Sequence, residues 1–164
     1  HHVSQLGIDC RYCYTGVDSS SFAGLPPTET CMTCHSQIWT QAQLLQPVRA
    51  SAELNRPLQW HRVTNLPNYV YFNHSVHINR GVACVTCHGR IDQMPMTYQA
   101  VEIKMSWCLA CHRNPEAQLV PTSQVTNPKP DLHAPNLLDW NAGPLAPLTA
   151  IQKKSITDCS TCHR

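Results

Sequence analysis

The pattern Cys-x-x-Cys-His occurs four times in 164 residues, at Cys31/Cys34/His35, Cys84/Cys87/His88, Cys108/Cys111/His112 and Cys159/Cys162/His163. A fifth Cys-x-x-Cys, Cys10/Cys13, is followed by Tyr14. These five pairs use all 10 cysteines. Two thiols three positions apart lie on about one helical turn and reach the two vinyl groups of one porphyrin. The histidine that follows then sits beneath the iron as its proximal ligand. The spacing therefore predicts covalent haem c at the four complete motifs and, by the repeat, at Cys10/Cys13.

Other uses of paired cysteines fit less well. Zinc takes four ligands in a tetrahedron and gives no reason for a histidine directly after four of the pairs. Ferredoxin-type clusters need a denser cysteine run. A disulfide scaffold leaves the repeated histidine unexplained.

Five haems in a chain of this length leave about 33 residues for each. Only 13% of residues are charged, and the chain has two phenylalanines. A protein core alone is thin at this size, so the cofactors themselves are expected to form much of the interior. The 13 prolines point to a chain wound round them in loops and short helices, with little sheet. The fold class expected is mostly irregular with short α-helices. It comprises two dihaem modules and a C-terminal haem site, with haems as the core. The net charge of +2 and the lack of a Lys/Arg run give no support to a nucleic-acid partner.

The cysteine pairs form an internal repeat. His1 and His2 precede the first pair of sites, and His74 and His77 precede the second. The organisation expected is a first dihaem module at 1–46, a connector at 47–73 and a second dihaem module at 74–115. A Pro-rich extended arm at 116–148, lying on a partner or on the modules, leads to the last haem site at 149–164. Within these, Ser36–Gln46 reads as a short helix capped by Ser36 and ended by Pro47. Val70–Phe72 reads as a short strand or extended entry. Ala150–Cys159 reads as a final helix.

A low-spin electron-transfer haem has both axial positions filled. Of 10 histidines, four are proximal in the motifs. The six left are His1, His2, His61, His74, His77 and His133. Five distal positions plus one missing proximal ligand require six. His74 and His77, three apart on one turn, can point at different irons. At the first site a remote histidine or Tyr14 stands in the proximal role. Met94, Met96 and Met105 lie near the second module, where thioether ligation would raise a haem potential.

The run Phe72-Asn73-His74-Ser75-Val76-His77, followed by Gly81-Val82-Ala83-Cys84-Val85-Thr86-Cys87-His88-Gly89, resembles the class III/c7-type multihaem cytochromes. In that family the Phe-x-His-x-x-His segment supplies distal ligands to two different haems. Further similarity runs from Leu66-Pro67 through Tyr71-Phe72 to Trp107-Cys108-Leu109-Ala110-Cys111-His112-Arg113-Asn114-Pro115. With the closing Cys159-Ser160-Thr161-Cys162-His163-Arg164, it resembles the pentahaem cytochrome c subunit of alternative complex III. Tyr14 departs from that pattern. The resemblance implies an electron-transfer subunit, not itself catalytic, of a membrane-bound quinol-oxidising complex. Its implied partners are an iron–sulfur/molybdopterin-like subunit, a monohaem cytochrome c and integral membrane subunits.

Covalent haem is attached outside the bacterial cytoplasm, so an extracytoplasmic compartment is expected, and the resemblance implies the periplasmic face of the cytoplasmic membrane. An export signal or N-terminal anchor upstream of His1 is compatible with this. Two other functions compete with a relay in a complex. A periplasmic multihaem reductase would place an open iron at the first site, beside Arg11, Tyr12 and Tyr14. A soluble periplasmic carrier would shuttle between partners.

Overall fold

A computed structural model describes residues 1–130 and 148–163. Seven short α-helices carry the regular structure among these residues: α1 (Thr28–His35), α2 (Gln46–Leu54), α3 (His74–Asn79), α4 (Cys84–His88), α5 (Met105–Arg113), α6 (Ala150–Ile156) and α7 (Cys159–Cys162). Single 3-10 turns, such as Cys10–Tyr12, punctuate the loops. Among the described residues β-pairing is limited to two isolated bridges, Val70 with His163 and Val82 with Leu119.

The helices are short because their starts and stops are closely spaced. Asn73 caps α3 by accepting the Val76 amide, and Asp158 caps α7 by accepting the Ser160 amide. Thr149 and Gln152 form a reciprocal capping box at α6, which satisfies amides that lack a helical partner. Gly89 ends α4 at φ 68°, in the left-handed region that side chains avoid. A β-carbon there would lie 2.5 Å from the Ala100 side chain.

Three local expectations change. Residues 36–42 do not form a helix, and Pro47 begins one: it lies in the first turn of α2, where its missing N–H costs nothing. At Val70–Phe72 the pairing is the one bridge at Val70. The C-terminal helix breaks at Thr157–Asp158 into α6 and α7, because Asp158 serves as a fresh cap.

The apolar core consists of Val17, Ile78, Ala83, Val120 and Val125. Val120 and Val125 are the large side chains most fully enclosed, although they come from the proline-rich stretch. Within that stretch Val120 and Val125 are buried while Thr122, Ser123 and Gln124 between them are exposed. Val120 donates its amide to Gly81, and Val125 accepts from Cys84. The remainder, from 131 to 147, including His133, falls outside the described residues.

Among the described residues these five side chains are a small core for polypeptide packing alone.

Candidate haem-binding site

Each complete motif rides on a helix that brings its two cysteines to one side of a single turn. Cys31 and Cys34 lie in α1, Cys84 and Cys87 lie in α4, Cys108 and Cys111 lie in α5, and Cys159 and Cys162 bound α7. Cys10 opens a 3-10 turn capped by Asp9, which accepts the Arg11 amide. Asp158 plays the same part before Cys159, so the first and last motifs share an acidic cap. All ten thiols are free of disulfides. Among the described residues no three His, Cys, Asp or Glu side chains converge to hold a bare metal ion.

The histidines share one arrangement. His77 Nδ1 donates to the Asn73 carbonyl at 2.7 Å, and His112 Nδ1 donates to Ile156 at 2.7 Å. His74 Nδ1 donates to Ser21 at 3.0 Å, His35 to Ile38 at 3.2 Å, and His163 to Tyr69 at 3.4 Å. A carbonyl only accepts, so Nδ1 carries the proton and Nε2 keeps its lone pair in all five. Metal-ligating histidines are oriented by this kind of contact.

The rings also pair. His77 and His112 face each other at a centroid distance of 6.1 Å with planes 26° apart. His2 and His35 lie 6.1 Å apart with planes at 70°. Two imidazoles sharing one metal ion, each nitrogen about 2 Å from it, place their centroids about 6 Å apart. His74 and His88 are close enough that each charge would repel the other. Burial, first, and that repulsion hold His88 below the ordinary imidazole range. Burial also lowers His77, opposed by the Asn73 carbonyl and assisted by His112. Both rings are thereby held neutral, the form that coordinates metal. Phe72 packs at 4.4 Å on His77 and at 4.8 Å on His74, separating the two rings of α3.

The other histidines are placed differently. His1 bonds Gln5 through its side chain and packs on Trp39 at 5.8 Å. His61 is exposed. Met96 and Met105 are exposed as well, whereas Met94 is half-buried against Gly89. Tyr14 occupies the place after Cys13, half-exposed, its phenol raised chiefly by burial and then by Cys13 and Cys10. The Cys10 and Cys84 thiols are neighbours that shift each other in opposite directions, Cys10 down and Cys84 up, with burial adding to the rise at Cys84.

Sequence reasoning did not find the residues that orient the rings. Asn73 is visible in sequence only as a helix cap. The carbonyls of Ser21, Ile38, Tyr69 and Ile156 carry no side-chain signal at all.

The residues fit haem c: free thiol pairs on single turns, five rings anchored at Nδ1 by backbone carbonyls, and a small apolar core. Known proteins agree. Over 134 residues the chain is 27% identical to the multihaem cytochrome c subunit of menaquinone reductase from Nitratidesulfovibrio vulgaris Hildenborough, covering 69% of this chain and 64% of that relative. The chain thus spans just under two thirds of the length of the curated relative it matches. The model of the family "Cytochrome c7 and related cytochrome c" matches residues 70–164, more than half of the chain, and the protein belongs to that family of multihaem c-type cytochromes.

Proposed function

We propose that this cytochrome is an electron-relay subunit of a quinone-linked membrane complex. Haem c supplies a reversible one-electron carrier when bound. The thiols of all five pairs would hold it covalently. His35, His88, His112 and His163 would lie on the proximal side. Distal partners for three of these would be His2 at the His35 site and His77 at the His112 site, from the ring pairs, and His74 at the His88 site, from its electrostatic proximity. His1, His61 and His133 are then left for the Cys10/Cys13 and Cys159/Cys162 sites. The observation that carries the reading is the shared Nδ1-to-carbonyl bond of five histidines. It supports the reading because a ring held at Nδ1 has Nε2 left to offer an iron; with both axial positions so filled, substrate chemistry at iron would be blocked and electron transfer favoured.

The quinone link rests on the relative's name and on the similarity to the alternative complex III subunit. In the finer form, the complex oxidises quinol at the outer face of the cytoplasmic membrane. Its other members are an iron–sulfur/molybdopterin-like subunit, a monohaem cytochrome c and integral membrane subunits. The relative's name supports the opposite direction, quinone reduction, through the same relay. Among the described residues no helix is long and apolar enough to cross a membrane. The two dihaem modules, 1–46 and 74–115, would pack through the Ser20 and Ser21 carbonyls, which accept the amides of Ser75 and His74.

The test is purification of the native complex with its membrane subunits. The expected result is a cytochrome of this sequence carrying five haems by intact mass, whose haems change redox state when a quinol or quinone is added. A colourless chain without a pyridine haemochrome, or one that leaves the membrane fraction alone, overturns the reading.

Tyr14 in the place of a histidine keeps a second reading in view, a reductase with an open iron at Cys10/Cys13. Cyanide or nitrite binding to a high-spin haem would favour it, and a wholly low-spin ferric spectrum would dismiss it.

A further inference from the structure

We infer that the attachment sites are ordered in space differently from the sequence. The Cys10/Cys13 site lies inside the row, between the Cys31/Cys34 site and the Cys84/Cys87 site. This rests on the proposal above that Cys10/Cys13 carries a haem.

Contacts between motifs define the order. Tyr12, between the first two cysteines, shares a 2.7 Å hydroxyl hydrogen bond with Thr33, between the second two. Cys13 lies within electrostatic reach of Cys31. On its other side the first motif meets the third. The Cys10 and Cys84 thiols lie close enough to influence each other's ionisation. Asp9, the cap of the first motif, accepts from the Thr126 hydroxyl at 2.7 Å. The adjoining Val125 carbonyl accepts the Cys84 amide at 2.9 Å. Arg11 Nε donates to Asp18 at 2.8 Å, and Asn79 at the end of α3 donates to the Asp18 carbonyl at 2.9 Å. Among the described residues no hydrogen bond or ring contact joins the Cys31 motif to the Cys84 motif.

The rest of the row follows the sequence. Cys87 is close to Cys108 and Cys111, and Cys108 is close to Cys162. The His112 ring is tied to Ile156, three residues before Cys159. The Tyr71 amide donates to the Cys162 carbonyl at 2.8 Å. The spatial order is therefore Cys31/Cys34, Cys10/Cys13, Cys84/Cys87, Cys108/Cys111, Cys159/Cys162. The site whose motif lacks a histidine is the junction between the two modules, and electrons entering at the Cys31/Cys34 end cross it to reach the other three.

The test uses the protein in its complex. Intact mass first counts the haems. Four haems, with Cys10/Cys13 bare, refute both the fifth haem and this order. With five present, Cys10→Ser/Cys13→Ser is compared with the end-site variant Cys159→Ser/Cys162→Ser, each carrying four by mass. After pulse reduction, about one quarter of the internal variant's haem absorbance change is expected in a separate slow phase, because one haem is cut off from three. The end-site variant is expected to equilibrate in one phase like the parent. If the internal variant also equilibrates in one phase, the order is wrong while the haem count stands. Should the internal variant fail to load, a cryo-electron microscopy structure of the parent complex decides. A Cys10/Cys13 porphyrin between the Cys31/Cys34 and Cys84/Cys87 porphyrins supports the order, and one at an end refutes it.

Discussion

His77 and His112 face each other across 6.1 Å with their planes 26° apart, although 34 residues separate them in the sequence. Each ring is anchored at Nδ1, to Asn73 and to Ile156. His77→Ala is expected to leave the haem count by intact mass unchanged while one haem turns from low to high spin. Electron paramagnetic resonance of the ferric protein reads this. A merely structural ring would leave the spin state alone.

Asn73 has two roles that substitution separates. Its side chain caps α3, and its carbonyl holds His77. Asn73→Ala removes only the cap, at a cost of about 1 kcal/mol. Thermal denaturation should show the loss, and the spin state of the ferric haems should stay that of the parent.

Gly89 closes the Cys84/Cys87/His88 turn at φ 68°, with Ala100 where a β-carbon would go. Gly89→Ala is expected to destabilise the protein by about 1–3 kcal/mol. Part of the purified material should lack one haem by mass.

Glu116 and Lys153 join the end of α5 to α6 through a 2.7 Å ion pair. The Lys153 ammonium holds the Glu116 carboxyl below its ordinary range. A depressed carboxylate stabilises the fold above its unfolded pKa, and that contribution fades as pH falls through the folded one. Glu116→Gln should therefore lower stability at neutral pH by about 0.5 kcal/mol, as expected for a partly exposed pair. The difference from the parent should vanish in melts carried out below the carboxylate range.

The small core predicts the behaviour of unloaded chain. Produced without haem attachment, the protein is expected to show little helical signal by far-ultraviolet circular dichroism and to be digested rapidly, because side-chain burial alone does not offset the conformational entropy of folding.

Much of the site was legible as spacing. Cysteines three apart with a following histidine place their side chains on one turn whatever surrounds them, and the structure builds the four complete motifs on helices. The partnership of rings was not legible, because His2 with His35 and His77 with His112 are brought together by the path of the chain rather than by any local period. Pro47 was read as a helix end when its fixed φ suits a helix start equally well. Val120 and Val125 were passed over because they stand alone among prolines and polar residues, with no apolar periodicity to mark them as core.

The acceptors that aim the rings, at Ser21, Ile38, Tyr69, Asn73 and Ile156, belong to the peptide. A point mutation can exchange a side chain but cannot delete a main-chain oxygen. Ring direction is therefore inherited through the course of the loops, and apart from Asn73, whose side chain also caps α3, these positions can drift in identity while the geometry they impose is handed on.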